Sequence, residues 1–231
     1  MQQLSHLGFK HFRIFDPDVV EDTNLNRLVG ASVSDGLRGT PKVEVASRTI
    51  KGLQPDANIL RYSAKWQDAV MALRSCDLVF GCLDGFAARR DLEACTRRYM
   101  IPYVDIGMDV HCLPGEPPRM AGQVILSMPG GPCMSCLRFL KENLAKEAAA
   151  YGDAGPRPQV IWPNAILAST AVGVAVDLLT GWTRSDELTV FYQYDGNKGL
   201  MVAHPTLPYL PSQGCPHYPL DSMGDPIGKP L

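Results

Sequence analysis

The chain has 231 residues, of which 45% are hydrophobic and 20% charged. This composition is in the globular range and argues against a disordered or fibrous protein. The formal charge at pH 7 is −2, so electrostatics gives no reason to expect nucleic acid or an anionic membrane as a partner.

The predicted elements of the first half alternate between strand and helix. In chain order they are a strand at His11–Phe15, a helix at Lys42–Leu53, strands at Asn58–Ser63 and Asp77–Cys82, a helix at Phe86–Met100 and a strand at Tyr103–Gly107. Such alternation is typical of a sheet whose parallel strands are joined by crossover helices. We therefore predict an α/β fold with a Rossmann-like, open and largely parallel sheet between flanking helices.

The second half is more varied. It contains a strand at Val124–Met128, a turn-rich segment at Pro129–Cys133, an amphipathic helix at Leu137–Ala150, an apolar helix at Ala165–Thr180 and two strands, Leu188–Tyr194 and Leu200–His204, joined by a turn. From Pro205 onward there are seven prolines in 27 residues, which predicts an extended strip. We expect one domain over residues 1–204 and a proline-rich tail over residues 205–231.

Compartment and redox state follow from two further features. The longest strongly apolar stretch, Ala165–Val176, is shorter than the roughly 20 residues that cross a bilayer. The first residues lack the basic start and apolar run of a secretory signal, so we expect a soluble cytoplasmic protein. Its seven cysteines should then be thiols, and the close pair Cys133-Met-Ser-Cys136 favours metal binding over a disulfide framework.

Several polar residues follow predicted strands. Asp16 ends the first strand, where an acid can accept both hydroxyls of a ribose, although a turn residue explains it equally well. Arg27 and Lys42 are suited to phosphate oxygens, but each alone is better explained as a solvated surface charge. Asp84 follows the strand Asp77–Cys82 and is either a magnesium ligand or the cap of the next helix.

Several motifs in one order resemble the E1-like adenylating enzymes of the ThiF family, which activate ubiquitin-like and sulfur-carrier proteins. The most specific is Asp16-Pro-Asp-Val-Val-Glu-Asp-Thr-Asn-Leu-Asn-Arg27, and the others are Gly39-Thr-Pro-Lys42, Asp77-Leu-Val with Asp84, Gly122-Gln-Val124 and Gly131-Pro-Cys-Met-Ser-Cys136. The resemblance runs from about Leu4 to Gly181.

This resemblance implies an adenylyltransferase that uses ATP and Mg²⁺ and releases pyrophosphate. Asp16 would bind the ribose, Asn24 and Arg27 would contact the phosphates, Lys42 would stabilise their charge and Asp84 would position magnesium. Arg27, Lys42 and Asp84 would be catalytic. The expected partner is a ubiquitin-like or sulfur-carrier protein, and the family usually works as a dimer.

The family's glycine-rich phosphate loop, G-x-G-G-x-G, has no counterpart, and no G-x-G occurs in the 231 residues. Two explanations remain open: a start placed too late in an ordinary enzyme, or a half-site that binds a carrier or a partner subunit without turning over ATP. The chain as written is expected to bind ATP poorly.

A zinc site is implied by the cysteines. Cys133 and Cys136 can take two corners of a zinc tetrahedron. The resembled family completes the site with a second C-x-x-C, whereas here Gly214-Cys-Pro-His-Tyr218 places Tyr218 at the last position. We expect Cys133, Cys136, Cys215 and His217 as ligands, the alternative being buried thiols beside a proline-rich tail. No cysteine lies between Cys136 and Cys215, so adenylation without a covalent carrier intermediate is expected.

Overall fold

The computed structural model describes residues 1–112, 115–141, 143–144, 160–183, 189–210, 214–219 and 224. These residues form two compact units, an N-terminal unit of residues 1–76 and a C-terminal unit of residues 77–231. Each unit is described by itself. The predicted boundary between residues 204 and 205 stays a prediction.

The N-terminal unit is built on a two-stranded parallel sheet. Its elements in chain order are α1 (Gln2–His6), β1 (His11–Phe15), α2 (Val33–Arg38), α3 (Lys42–Leu53), β2 (Asn58–Tyr62) and α4 (Val70–Leu73), with 3-10 turns at Asp22–Asn24 and Trp66–Ala69. Strand β1 pairs with β2 in register from His11 opposite Asn58. Helix α3 packs on both strands, because Val43, Ser47 and Ile50 recur at helical spacing and are buried.

The C-terminal unit contains a five-stranded mixed sheet. Its elements are β3 (Val79–Gly81), α5 (Phe86–Arg98), β4 (Tyr103–His111), β5 (Arg119–Ser127), α6 (Ile161–Thr180), β6 (Val190–Asp195) and β7 (Leu200–Ala203), followed by a 3-10 turn at Leu207–Tyr209. The strand order is β3-β4-β5-β6-β7.

Two helices use opposite faces of this sheet. Val104, Val124 and Leu126 point to one face, where they form a core with Leu167 and Ala171 of α6. The alternate residues, such as Asp105 and Ser127, point to the other face and receive hydrogen bonds from side chains of α5. The sheet of this unit is thus the middle layer between α5 and α6.

The α/β class is confirmed, but the sheet is less parallel than expected. Strands β1 and β2 are parallel, as are β3 and β4, whereas the other three pairings between described strands of the larger sheet are antiparallel. The connections explain the difference: β4 ends at His111 and β5 begins at Arg119, a connection too short for a crossover helix. The ladder between these two strands extends both beyond their predicted bounds.

Helix α6 is longer than the apolar stretch noted in the sequence. With 20 residues and a mean hydropathy of 1.4, it could cross a membrane by length and composition alone. Its Leu167, Ala171 and Ala175 are buried, and it packs on β4 and β5, while 28% of its most apolar 18-residue window is buried. The predicted helix Leu137–Ala150 is helical at residues 139–141 and 143–144, and its remainder from residue 145 lies outside the described residues.

Candidate functional site

Asp16 continues strand β1 at the carboxyl end of the small parallel sheet. Its backbone N–H donates to the carbonyl of Tyr62, and its carboxylate accepts the N–H of Asp18 at 2.9 Å. The rings of Phe15 and Tyr62 stack beside it with centroids 4.7 Å apart. The structure therefore places Asp16 at the edge of a parallel sheet where ligands of α/β proteins bind.

Lys42, the first residue of α3, contacts Asp18, which lies two residues after Asp16. The Lys42 ammonium donates to the Asp18 carboxylate at 2.8 Å, and the backbone N–H of Lys42 donates to the Asp18 carbonyl at 3.0 Å. An antiparallel bridge between Val19 and Pro41 holds the two segments together. Two of the predicted nucleotide-binding residues are thus brought to one place by the segment around Asp18.

Asn24 and Arg27 lie on the turn that follows. The Asn24 side-chain carbonyl accepts the N–H of Glu21 in a capping box, and Asn24 is 8% exposed. The Arg27 guanidinium donates to the Thr23 carbonyl at 2.5 Å and to the Asn26 side chain at 3.1 Å. Both side chains make contacts inside this turn, so phosphate binding by Arg27 would compete with them.

Asp84 belongs to the C-terminal unit and lies between β3 and α5. It is exposed, and Gly85 is the N-cap of α5 without a side-chain cap. Gly85 and not Asp84 occupies the N-cap position, and the two sequence-based interpretations of Asp84, helix cap and magnesium ligand, both stay predictions. The exposed carboxylate at a strand end remains available to an oxygen-seeking cation.

A buried ionic cluster on the α5 face of the sheet was missed by the sequence reasoning. The Asp105 carboxylate accepts from Arg89 Nη1 at 2.5 Å, from the Tyr103 hydroxyl at 2.7 Å and from Gln123 Nε2 at 3.4 Å. Burial, followed by the nearby Asp105 charge, raises the pKa of Tyr103 well above its ordinary value. An acid inside the apolar strand Tyr103-Val-Asp-Ile was the signal that this cluster existed.

Close packing around this cluster requires two glycines. A Cβ on Gly81 would overlap the Tyr103 hydroxyl, and one on Gly107 would overlap the Gln123 amide and lie 2.8 Å from Arg89 Nη2. All three side chains are already bonded to Asp105, so they have little freedom to move aside. The cluster is a tightly built feature of the C-terminal unit.

The four predicted metal ligands lie together at the turn after β5. The ligand atoms of Cys133, Cys136, Cys215 and His217 are all within 4.8 Å of one another. The Cys136 N–H also donates to the Cys133 sulfur at 3.4 Å, which folds the Cys-x-x-Cys turn around that sulfur. The C-x-H spacing of Cys215 and His217 therefore presents both side chains to the same centre.

The distances between these atoms match the edges of a zinc tetrahedron. With Zn–S bonds of about 2.3 Å and Zn–N bonds of about 2.0 Å, the edges are about 3.8 Å between sulfurs and about 3.5 Å between sulfur and nitrogen. The observed distances are 3.7 Å for Cys133 to Cys136 and 3.6 Å for Cys136 to Cys215. His217 Nδ1 lies 3.5 Å and 3.4 Å from the sulfurs of Cys133 and Cys136.

The pKa values of the three thiols in this cluster are shifted in different directions. Burial raises the pKa of Cys133 and Cys136. Burial also acts to raise the pKa of Cys215, but hydrogen bonds from Cys133 and from the backbone outweigh it and lower that pKa. A bound dication would displace the thiol protons. Three sulfurs and one imidazole nitrogen are a donor set that suits zinc.

Comparison with known proteins gives the chain its relatives. It is 27% identical over 220 residues to the SAMP-activating enzyme E1 of Haloferax volcanii, covering 94% of this chain and 74% of the relative. It is 30% identical over 186 residues to the molybdopterin-synthase adenylyltransferase of Escherichia coli, covering 78% and 68%. The fold matches crystalline E. coli MccB with MccA at a TM-score of 0.70 and 18% identity, covering 88% of this chain and 58% of that one.

The family assignment follows from a match to a family model. The ThiF family model matches residues 1–216, a range that contains every predicted nucleotide-binding residue and three of the four clustered metal ligands. The two units, the strand-end acid Asp16 and the Cys-His cluster all lie on this matched sequence or at its end. The chain belongs to the ThiF family.

Proposed function

We propose that the protein is an adenylyltransferase that activates the C-terminal carboxylate of a ubiquitin-like or sulfur-carrier protein with ATP and Mg²⁺. The observation that carries the proposal is the ThiF family match over residues 1–216. Two relatives named as an E1 activating enzyme and as an adenylyltransferase support the same reaction class.

In the proposed reaction, a carboxylate oxygen of the carrier attacks the α-phosphorus of ATP. The bond between the α-phosphorus and the bridging oxygen breaks, pyrophosphate leaves, and an acyl-adenylate remains. The attacking carboxylate is ionised at neutral pH, so no general base is required. Catalysis of this kind depends on positioning and on stabilising charge on the phosphates.

The proposed roles of the chain's residues are those that the resemblance to the ThiF family implies. Asp16 accepts the ribose hydroxyls at the strand end, while Asn24, Arg27 and Lys42 face the phosphates. Lys42 is already paired with Asp18, so its ammonium would exchange one anionic partner for another. Asp84 supplies an exposed carboxylate for Mg²⁺, which when bound offsets the negative charge of the phosphates.

The acyl-adenylate is proposed to pass to a thiol on another protein. The sequence between Cys136 and Cys215 contains no cysteine that could take the carrier. Cys112 is exposed, but it is a lone loop thiol. A carrier-linked species that survives denaturing gels and is released by reductant would contradict this part of the proposal.

The Cys133, Cys136, Cys215 and His217 cluster is proposed to hold one structural zinc ion. Four protein ligands leave no open position for a substrate, which is the arrangement of structural and not catalytic zinc. The metal would tie the segment at residues 214–219 to the turn after β5. We further propose a cytoplasmic homodimer.

Carrier-dependent exchange of label between pyrophosphate and ATP tests the function. The native protein is mixed with each ubiquitin-like or sulfur-carrier protein of its source organism in turn. Lys42→Ala should lower exchange by about 10²–10³, the scale for losing one charge-stabilising group. Lys51→Ala, on the same helix and bonded to the Pro55 carbonyl, is the matched control and should leave exchange unchanged. Binding of a carrier without exchange would instead favour a non-catalytic half-site.

A further inference from the structure

Two charged residues of α5 are buried beside the metal-ligand turn. Glu93 and Arg97 lie one helical turn apart, with Arg97 Nε 3.7 Å from Glu93 Oε1, and both side chains are 0% exposed. Burying such a pair costs desolvation energy that their mutual attraction rarely exceeds. Glu93 Oε2 lacks a hydrogen-bond partner within the described residues, which adds to that cost. Stability of the helix therefore does not account for the pair.

The contacts of the pair lead to the end of β5 and to the ligand turn. Arg97 donates to Ser127 Oγ at 3.0 and 2.8 Å, to the Gly131 carbonyl at 3.0 Å and to the Pro132 carbonyl at 2.8 Å. Glu93 Oε1 accepts from Ser127 Oγ at 2.5 Å and from the Met134 N–H at 2.8 Å. All six of these bonds involve Arg97 or Glu93 and are of the stronger, charge-assisted kind.

These bonds hold both peptide groups that flank one metal ligand. The Pro132 carbonyl belongs to the peptide before Cys133, and the Met134 N–H belongs to the peptide after it. Because Arg97 holds the first and Glu93 the second, the backbone of Cys133 cannot rotate between them. The direction of the Cys133 sulfur then depends on a single side-chain torsion in a fully buried site.

The Arg97 guanidinium also contacts the segment that carries Cys215 and His217. The ring of Tyr218 lies over Arg97, with 5.2 Å between the guanidinium carbon and the ring centroid. Tyr218 directly follows His217 in the sequence, and His217 is 84 residues from Cys133. A cation over an aromatic face at this distance is attractive, more so where water is excluded. Arg97 thus joins two ligand segments that are distant in sequence.

We propose that Glu93 and Arg97 are positioning residues of the metal site, and that Tyr218 contributes by packing on Arg97 instead of ligating the metal. This inference rests on the proposed binding of a dication by the Cys-His cluster. It gives the buried pair of Glu93 and Arg97 a function. It also explains why Tyr218 can occupy the position at which a second Cys-x-x-Cys would have its last cysteine.

Zinc affinity, measured for the native protein and for variants, tests the proposed positioning role of Glu93 and Arg97. The zinc dissociation constant is measured by competition with a chromophoric chelator, and the intensity of the Co²⁺ ligand-field band reports tetrahedral geometry. Arg97→Lys keeps the charge but loses the planar fork, so it should weaken zinc binding about 10–100-fold, the usual effect of removing a group that orients a ligand. Arg90→Lys is the matched control, since Arg90 is exposed on the same helix and pairs with Asp91.

If circular dichroism shows that Arg97→Lys does not fold, two substitutions of Tyr218 test the proposal instead. Tyr218→Phe retains the ring and should bind zinc as the wild type does, whereas Tyr218→Leu should bind it several-fold more weakly. Equal affinity of wild type, Arg97→Lys and Tyr218→Leu would overturn the inference while leaving the metal site intact. A wild type that binds no zinc would overturn the metal site itself, and pyrophosphate exchange would still report on the proposed reaction separately.

Discussion

Replacing Asp105 by asparagine is expected to destabilise the C-terminal unit severely. The substitution keeps the volume of the side chain and an acceptor for the Tyr103 hydroxyl, but it removes the negative charge that faces Arg89. The Arg89 side chain is 7% exposed and that of Asp105 is fully buried, so water cannot replace the lost partner. The guanidinium would keep its bond to the Ile106 carbonyl and otherwise be a buried cation.

The magnitude follows from this burial. Breaking a buried ion pair by removing one partner costs about 3–5 kcal/mol, because the remaining charge is left uncompensated. For a chain of this size each kcal/mol corresponds to about 2–4 °C in Tm, so Asp105→Asn should melt roughly 10 °C lower. Replacing both partners, as in Arg89→Met with Asp105→Leu, should cost less than Asp105→Asn alone, since neither charge remains buried.

Urea unfolding followed by circular dichroism measures the effect. Asp91→Asn is the control, because Asp91 pairs with Arg90 on the exposed side of the same helix and should change the free energy of unfolding by less than about 1 kcal/mol. The reasoning would be refuted if Asp105→Asn were as stable as that control, or if the double variant were less stable than Asp105→Asn.

Three further predictions concern acid stability, packing and the metal. Arg48, bonded to the Asp35 carboxylate, holds the pKa of this buried acid below its ordinary value. Above about pH 4 the wild type should therefore have a larger free energy of unfolding in urea than Asp35→Asn. The difference between the two proteins should become smaller as the pH falls further. Gly107→Ala should cost about 1–3 kcal/mol in the same assay through overpacking, whereas Gly173→Ala, where a Cβ meets nothing within 4 Å, should not destabilise the protein. EDTA should lower the Tm of the wild type but not that of Cys136→Ser, in which one zinc ligand is missing.

Much of the local structure could be predicted from the sequence, because the spacing of buried residues and the prolines that begin or end elements act over a few residues. The helix Lys42–Leu53 and the strand His11–Phe15 have the predicted bounds, the helix because Val43, Ser47 and Ile50 recur on one face after Pro41. Strand direction in the larger sheet could not be predicted in the same way. The alternation of strands and helices carries no information on which strand edges pair, and the short connections that favour antiparallel neighbours were visible only once the strand ends were known.

The grouping of Cys133, Cys136, Cys215 and His217 could be predicted because cysteine and histidine are infrequent residues and here stand in ordered motifs. The roles of Asp16, Asn24, Arg27, Lys42 and Asp84 in nucleotide binding stay predictions. The buried charges of α5 could not be predicted, since the segment from Phe86 to Arg98 resembles a solvated helix by composition. Its spacing nevertheless held a signal: Arg89, Glu93 and Arg97 follow one another at four-residue intervals and so lie on a single face. All three are at most 6% exposed. A stripe of buried charge at this spacing means that α5 meets the sheet through directed hydrogen bonds, to Asp105 at one end and to the turn of Cys133 at the other. Because these bonds need fixed partners, α5 is held in one position on the sheet by Asp105 and by the backbone on either side of Cys133.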